Sequence, residues 1–348
     1  MDVFNLPEKL YSVGSRTWIL DCEADALKDY KAMWVAVLRN YETDEVRVFR
    51  NIHLDPSEFN TFCAKEVDWY VGHNIIKFDN DVLRKFTSVR LTQDNTIDTL
   101  VISRLMNTRR TGGHSLDKWG ETLGHSKDNF SDFSRYSKEL EDRCIQDTLI
   151  NKEVLKKFEN HLLTKRWRLP IYLEMTIEFY NHGIYHYGFY YDYEKHLVLL
   201  EELKSKVDSL RLEFKEAFGE EFNPASPKQR IDVLTEAGWK PTEKTKGHIA
   251  ELRKGKSADK EKLAKYKTYG YTTSELNLST LPETAPVAAK KLVEFLLLNS
   301  RLGDLEEWGK SYDPITGAIH PTITGIGGWT HRRSHQAPNS ANIPALIN

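Results

Sequence analysis

Two carboxylates that stand two residues apart could share a proton or a cation. Asp21 and Glu23 follow an apolar run in the segment WILDCEADAL, residues 18–27. A strand points residues i and i+2 to the same face, so these side chains are expected to project side by side. Two carboxylates placed in this way repel each other, and one must take up a proton unless a cation neutralises the pair. The question is what the pair binds.

Two further carboxylates extend the set. Asp79 lies in GHNIIKFDNDVL where a helix is expected to begin, and Asp147 lies in the helical segment ELEDRCIQDTLINKEVLKKF. Asp147 falls on an apolar stripe of that helix, where an unpaired carboxylate is costly. Each carboxylate alone has a simple explanation: a helix cap for Asp79, a salt bridge for Asp147, and a polar strand end for Asp21 and Glu23. A shared site for two divalent cations explains all four, and such ions could polarise a phosphodiester and activate water.

Composition and charge limit the classes of protein to consider. The 348 residues are 40% hydrophobic and 29% charged, and the formal net charge is −2. These values are ordinary for a globular protein, so a nucleic-acid partner would have to be met by a local basic patch. No apolar run approaches membrane-spanning length. Three scattered cysteines fit a reducing cytoplasm better than a disulfide framework, and they are Cys22, Cys63 and Cys144. We therefore expect a cytoplasmic protein without a membrane partner.

The spacing of apolar residues predicts a mixed α/β first half and a helical second half. RTWILDCEAD, MWVAVLRNYE, EVRVFRNI and VDWYVGHNII are the strand candidates. From Leu140 onward the spacing is helical, and it includes a long amphipathic segment that ends at Gly219. Residues 241–267 hold nine Lys or Arg against four Asp or Glu. Such a segment is ordinarily a solvated surface, but it could also bind a duplex backbone.

The segments around the four carboxylates resemble a known set of motifs. ILDCEAD, HNIIKFD and CIQD are similar to the three motifs of the four-carboxylate (DEDD) 3′–5′ exonucleases, which have the ribonuclease H-like fold. IDTLVISRL and GHSLDKWGETLG resemble the version found in family A DNA polymerases, and most closely in the replicative polymerases of short-tailed phages. The resemblance implies an α/β exonuclease domain, a mixed sheet flanked by helices, followed by a mainly helical region in a protein of the infected bacterial cytoplasm.

The resemblance also implies an activity and a role for each matching residue. The activity is proofreading during DNA replication, by hydrolysis of the 3′-terminal phosphodiester of DNA with two Mg²⁺ or Mn²⁺ ions. Asp21 matches the ligand that bridges both ions. Glu23 and Asp147 match the ligands of the ion that activates water, and Asp79 matches the ligand on the leaving-group side. Asn74 matches the asparagine that precedes the second-motif aspartate, and it is expected to contact DNA.

The second half resembles the parts of such a polymerase that bind primer–template DNA. The implied domains are the exonuclease at residues 1–162, a helical thumb-like region at 163–310 and the start of a palm at 311–348. THRRSHQAPNSANIP is similar to the family signature TGR…PN…IP, which touches the primer–template. The residues in the matching places are Arg332, Asn339 and Asn342.

Some features depart from the family pattern. His331 replaces the glycine of TGR, a residue that permits close backbone approach. The sequence ends before the palm carboxylates and the fingers helix, so this chain alone is not expected to polymerise. The thumb insertion that binds a host thioredoxin in the best-known phage relatives is missing between AFGEEF and NPASP, so a thioredoxin-type processivity factor is not expected.

The third motif contains a departure of its own. The family has a tyrosine four residues before the motif's aspartate, or in a sister group a histidine five before it, whereas this sequence has Arg143 and Asp142. Arginine stays protonated and has no acceptor, so it cannot be a general base. Arg143 can reach Asp147 as an i, i+4 pair, and it could clamp the scissile phosphate or compete with a metal. We therefore expect a slow exonuclease.

The sequence leaves other functions open. The chain could be a largely non-catalytic DNA-binding half of a split polymerase that needs a separately encoded palm-and-fingers chain. It could also be a stand-alone RNA exonuclease of the same fold, although the thumb-like second half disfavours this. Three histidines are further candidates for zinc ligands, but their spacing fits no compact zinc pattern, and we expect them in loops or at the surface; they are His73, His114 and His125.

Overall fold

The computed structural model describes residues 11–125, 130 and 132–343. The backbone forms two compact units. The first comprises the described residues up to Phe189 together with those from His320 onward, and the second runs from Tyr190 to Ile319. The domain boundaries inferred from the sequence divide the chain by function rather than by compactness, and they stay a prediction.

A five-stranded sheet forms the centre of the first unit. Its strands are β1 Thr17–Ala24, β2 Met33–Asn40, β3 Val46–Arg50, β4 Trp69–Gly72 and β5 Thr96–Asp98. Their order is β3-β2-β1-β4-β5, with β1, β2 and β3 antiparallel and β1, β4 and β5 parallel. The strand that carries the first carboxylate pair is therefore the central one. Its apolar residues are fully buried, which stabilises the sheet by about 1.5–3 kcal/mol for each large side chain.

The helices that the structure describes beside this sheet are α1 Ser57–Glu66, α2 Asp79–Phe86, α3 Thr99–Met106, α4 Leu116–Leu123, α5 Lys138–Leu163 and α6 Lys165–Tyr187. Asp98, Ser115 and Ser137 cap α3, α4 and α5, because each accepts hydrogen bonds from main-chain N–H groups in the first turn of its helix. Helix α5 packs on β1 and β2. Its predicted stripe is buried throughout, at Leu140, Cys144, Asp147, Val154 and Phe158.

Strand β4 is shorter than the sequence predicted. The pattern VDWYVGHNII suggested a strand over the whole segment, but the strand ends at Gly72. The chain turns there so tightly that a Cβ on Gly72 would lie 2.4 Å from the Cβ of Ile75. Asn74, two residues further on, has the left-handed φ of 67°. As a result, β1 pairs with β4 only as far as Ile19, and the later main chain of β1 is available to other partners on that side.

The second unit is helical. Its helices are α7 Tyr193–Phe218, α8 Pro227–Glu236, α9 Lys246–Arg253, α10 Lys260–Tyr269, α11 Glu275–Leu278 and α12 Val287–Lys310, with a 3₁₀ turn at Gly255–Ser257. The predicted long amphipathic helix is confirmed as α7, which stops before Gly219 at a φ of 97°. It packs against α12 around a core that includes Val207, Phe214 and Phe295. The Lys-rich segment supplies α9 and α10.

The remaining strands are short: β6 Phe189–Tyr190, β7 Tyr312–Asp313, β8 Ala318–Ile319, β9 Thr322–Thr324 and β10 Ser334–Gln336. Strands β9 and β10 form an antiparallel pair in the first unit, where β9 lies beside α6. Across the part of the chain that the structure describes, no helix has the length and apolar character needed to cross a bilayer. The predicted class, a mixed α/β sheet flanked by helices and followed by a helical region, is confirmed.

Candidate metal centre

Asp21 and Glu23 lie on one face of β1. Both side chains are half-buried, whereas Leu20, Cys22 and Ala24, which alternate with them, are buried. The pair sits in the part of β1 that continues beyond its pairing with β4, opposite Val37 and Val35 of β2. The backbone of β1 therefore holds the two carboxylates side by side, so they repel each other whenever both are ionised.

Helix α5 adds the third carboxylate. One ligand oxygen each from Asp21, Glu23 and Asp147 lies within 4.8 Å of the others. The helix is held in register with the strand by Cys144, whose thiol donates to the main-chain oxygen of Asp21 at 3.3 Å. Cys144 and Asp147 are three residues apart, about one helical turn, so this contact turns Asp147 toward the strand pair.

Asp79 reaches the same strand from the first turn of α2. Its Oδ1 accepts a hydrogen bond from the main-chain N–H of Cys22 at 3.1 Å and from the Cys22 thiol at 3.0 Å. That N–H is available because β4 no longer pairs with β1 at this point. The simple explanation of Asp79 as a helix cap is wrong, because α2 has no side-chain cap hydrogen bond and the carboxylate is turned toward β1.

Burial and like charge dominate the electrostatics of these carboxylates. Burial raises the pKa of Asp21 well above its usual range, and the charges of Asp147, Glu23 and Asp79 raise it further. Burial likewise raises the pKa of Asp79 to about 7. Carboxylic acids in water release their protons near pH 4. In the metal-free cluster, the carboxyl groups with raised pKa values keep their protons well above that pH.

The residues present fit hard divalent cations. The ligand atoms are all carboxylate oxygens, which Mg²⁺ and Mn²⁺ prefer. In addition, Asp21 Oδ2 is buried, and the described residues offer it no hydrogen-bond partner. A buried carboxylate oxygen without a donor is costly, and a bound cation would remove that cost. The geometry therefore makes this cluster a candidate metal centre.

Arg143 stands at the edge of the cluster. Its Nε lies 3.9 Å from Glu23 Oε1 and 4.0 Å from Asp147 Oδ2, so the i, i+4 approach expected from the sequence is present in the structure. Both separations exceed hydrogen-bonding distance. The guanidinium thus offsets part of the negative charge without closing off either carboxylate.

The structure places the four residues with predicted DNA contacts in two separate segments. Asn74 lies in the loop between β4 and α2, where its N–H donates to Asp98 Oδ1 at 3.0 Å. The others lie near β10: Arg332 and Asn342 are exposed, and Asn339 is half-buried. Their contacts with DNA stay predictions. His331, in the place of the family glycine, has the left-handed φ of 58° that glycine adopts without strain.

A further group of ligand-type side chains was missed from the sequence. Asp81, His182 and His186 form a second cluster, and its signal is the spacing of the two histidines by four residues on one helix. The histidines that the sequence offered as zinc candidates have ordinary partners. His73 contacts Thr99 Oγ1 and the main-chain oxygen of His114, and His125 lies 3.1 Å from Glu153.

The fold and the carboxylate cluster together define a mixed α/β protein with a candidate cation centre on its central strand. No protein-family model matches the chain. Two curated proteins are similar to it. The DNA-directed DNA polymerase of Escherichia phage T7 is 27% identical over 206 residues, which is 45% of this chain and 28% of the relative. The DNA-directed DNA polymerase of Enterobacteria phage T3 is 25% identical over 206 residues, with the same shares. The chain thus spans less than a third of these relatives.

A solved structure of a polymerase domain has a similar fold. The POL domain of Pol1 from M. smegmatis, in complex with DNA primer-template and dNTP, superposes with a TM-score of 0.65 and 18% identity. The match covers 99% of this chain and 56% of that one. Homology to the phage T7 and T3 polymerases over 45% of the chain, together with this fold, fits a fragment of a family A DNA polymerase, as the motifs predicted.

Proposed function

We propose that the chain provides the 3′–5′ exonuclease, or proofreading, part of a family A DNA polymerase. The observation that carries this proposal is the grouping of three carboxylates from β1 and α5, with a buried oxygen of Asp21 left without a donor. The fourth carboxylate, Asp79 of α2, is held beside the same strand by the N–H of Cys22. The mixed sheet with the pair on its central strand supports a ribonuclease H-like exonuclease domain at residues 1–162. Residues 163–310 would then be thumb-like, and 311–348 would begin a palm.

Asp21, Glu23, Asp79 and Asp147 would hold two divalent ions, Mg²⁺ or Mn²⁺. Bound ions of this kind supply Lewis-acid polarisation of a phosphodiester and a more acidic water. The protein's own contribution is to keep the four carboxylates in place before substrate arrives. The N–H of Cys22 orients Asp79, and the thiol of Cys144 ties α5 to β1.

Arg143 has a different role from that of a tyrosine in the same place. Its guanidinium cannot accept a proton from the attacking water. It can hold a phosphate oxygen, because it lies half-buried at the edge of the cluster with its charge only partly offset by Glu23 and Asp147. We therefore expect hydrolysis that is slower than a general base would allow.

The substrate we propose is DNA, as a single-stranded 3′ end and as primer–template. The similar phage proteins are DNA-directed DNA polymerases, and the similar Pol1 domain was solved with primer-template. In this chain the exposed Arg332 and Asn342, with Asn339 and Asn74, would contact the strands. The Lys-rich helices α9 and α10 would add affinity that falls steeply with salt.

The test is release of mononucleotides from 3′-labelled single-stranded DNA and RNA by the purified chain, with Mg²⁺ and with EDTA. We expect Mg²⁺-dependent hydrolysis of DNA that is lost in the double variant Asp21→Ala/Glu23→Ala. The matched control is Asp142→Asn, which changes an exposed carboxylate of α5 and should leave the rate unchanged. Full activity in the double variant, or in EDTA, would overturn the proposal, and faster cleavage of RNA would replace DNA as the substrate.

A further inference from the structure

A second group of ligand atoms meets between α2 and α6. Asp81 lies in the first turn of α2, and His182 and His186 lie one turn apart on α6. Asp81 Oδ1 is 2.8 Å from His182 Nε2 and 2.9 Å from His186 Nε2. The two Nε2 atoms are 3.0 Å from each other. Three atoms of ligand type therefore form a nearly equilateral triangle.

Hydrogen bonds alone cannot satisfy this triangle. Each Nε2 carries at most one hydrogen, and an ionised carboxylate oxygen carries none. If both imidazoles donate to Asp81, their two N–H groups face each other across 3.0 Å. If only one imidazole donates to Asp81, the Nε2 of the other imidazole carries a lone pair. That lone pair faces the lone pairs of the carboxylate oxygen, and the N–H of the first imidazole already donates to Asp81. With Asp81 ionised, at least one of the three short contacts is repulsive in each of these arrangements, whereas a cation at the centre makes all three attractive.

We propose that Asp81, His182 and His186 bind one transition-metal ion of the Zn²⁺ class. An ion about 2.0–2.1 Å from imidazole nitrogen and carboxylate oxygen leaves neighbouring ligand atoms about 2.9 Å apart when they share a face of an octahedron. The observed separations of 2.8, 2.9 and 3.0 Å match that octahedral spacing. A tetrahedral ion, with ligand atoms about 3.3 Å apart, would require them to move apart by a few tenths of an ångström. Two imidazole nitrogens favour Zn²⁺ and its neighbours in the first transition row over Mg²⁺, which prefers oxygen.

The surroundings hold the ligands in place and leave one side open. His182 is 5% exposed, so its ring is fixed by packing, and the two imidazole planes stand at 85° to each other. Both Nε2 atoms thus approach the same point from different directions. Asp81 and His186 border a cleft of about 500 Å³, from which an ion and further ligands could enter. The group has the three protein ligands and open positions of a metal site with exchangeable ligands.

Three lysines also line this cleft, and their charge must be considered, since it opposes a cation. Lys77 Nζ lies 3.3 Å from Glu178 and donates to the main-chain oxygen of Ile323 at 3.0 Å. Lys85 Nζ donates to the main-chain oxygen of Tyr30, and Lys28 lies 5.5 Å from the centre of the Tyr185 ring. Each ammonium group is directed to a partner other than Asp81. The positive charge of these three lysines would favour an anion as an additional ligand of the ion.

An ion here would join α2 to α6. The same first turn of α2 carries Asp79, so the ion would fix the helix end that presents Asp79 to Cys22. Binding of Zn²⁺ at this place depends neither on the proposed exonuclease activity nor on its two oxygen-bound ions. Loss of the exonuclease activity would therefore not remove Zn²⁺ binding.

The test is metal binding by the tag-free full chain in excess Mg²⁺, measured with a competing chromophoric chelator for Zn²⁺ and by the visible spectrum of Co²⁺. We expect one equivalent of Zn²⁺ or Co²⁺ per chain. Loss of a residue that only hydrogen-bonds a metal ligand weakens metal binding by about 10–100-fold. His182→Gln and His186→Gln each remove a ligand itself, so each should weaken Zn²⁺ binding by more than this. Zn²⁺ should raise the melting temperature of the wild type but not that of His186→Gln.

Two controls locate the ion and guard against misfolding. His125→Gln removes a histidine outside the cluster, and Asp21→Ala/Glu23→Ala empties the carboxylate centre; both should retain the full Zn²⁺ affinity. His186 is half-exposed at the side chain, so its replacement spares the core, and far-ultraviolet circular dichroism checks the fold. Absence of stoichiometric Zn²⁺ binding by the folded wild type would overturn the proposal. Zn²⁺ binding by both histidine variants that is as tight as that of the wild type would overturn it as well.

Discussion

Arg143 brings a permanent positive charge to a cluster of carboxylates that otherwise repel one another. It stands 3.9 Å from Glu23 and 4.0 Å from Asp147, near enough to lower their mutual repulsion and too far for short hydrogen bonds. A phosphate oxygen entering the site could take up those donors. A side chain with an ionisable hydroxyl in the same place could instead take part in proton transfer.

Replacing Arg143 separates these two roles. We predict that Arg143→Tyr speeds single-turnover hydrolysis of DNA at saturating Mg²⁺ by up to about 100-fold, the lower range of what general-base help contributes, with DNA affinity nearly unchanged. The matched control is Arg135→Tyr, an exposed arginine that pairs with Asp132 and should not affect the rate. A variant slower than the wild type would show that Arg143 itself holds the scissile phosphate.

The raised pKa of Asp79 predicts how the stability of the metal-free protein depends on pH. The pKa is about 7 in the folded chain against 3.8 in the reference state. Between these values the folded state holds a proton that the unfolded state has lost, so stability falls as pH rises through the window. Above pH 7 the buried, ionised carboxylate should destabilise the metal-free fold by an amount on the order of a few kcal/mol.

The variant Asp79→Asn tests this without removing the acceptor for the Cys22 N–H. In EDTA, urea unfolding should show the variant to be more stable than the wild type at pH 8, and the difference should shrink as the pH approaches 5. The control is Asp142→Asn, which changes an exposed carboxylate of α5 and should show no such trend. A variant less stable than the wild type at pH 8 would contradict the electrostatic explanation.

At the scale of elements, the short loop from β4 to α2 determines where the site can form. The loop is tight because Gly72 approaches Ile75 closely, and the strand that ends there no longer pairs with β1 beyond Ile19. The N–H of Cys22 is then available to Asp79. A longer β4 would use the hydrogen-bonding side of β1 that α2 uses now.

Gly72→Ala should disturb this arrangement. The added Cβ would lie 2.4 Å from the Cβ of Ile75, which is fully buried and cannot move away easily. We predict a loss of about 1–3 kcal/mol in the free energy of unfolding, measured by urea titration. Gly183→Ala is the matched control with the opposite sign: Gly183 is inside α6, nothing lies within 4 Å of its added Cβ, and helix propensity predicts a gain of about 0.5–1 kcal/mol. Equal stability of Gly72→Ala and wild type would show that the loop adjusts.

At the scale of the whole molecule, the features that the sequence predicted are those with a local cause. The alternation in β1, the helical spacing of α5, and the end of α7 at Gly219 all follow from neighbouring residues. The length of β4 was overestimated, because its end depends on a contact with Ile75 that an apolar run does not reveal. In the second cluster, the two histidines are four residues apart on one helix, but Asp81 lies 101 and 105 positions from them, and no local pattern connects it to them.

The partial pairing of β1 has a consequence for local opening of the fold. Up to Ile19 the strand is hydrogen-bonded on both sides, and such central segments exchange their amide hydrogens last, through near-global unfolding. Asp21 and Glu23 follow directly on that segment, still paired with β2. Fraying of surface loops therefore leaves the pair assembled, whereas the place of Asp79 depends on the first turn of α2 and on its hydrogen bonds to Cys22.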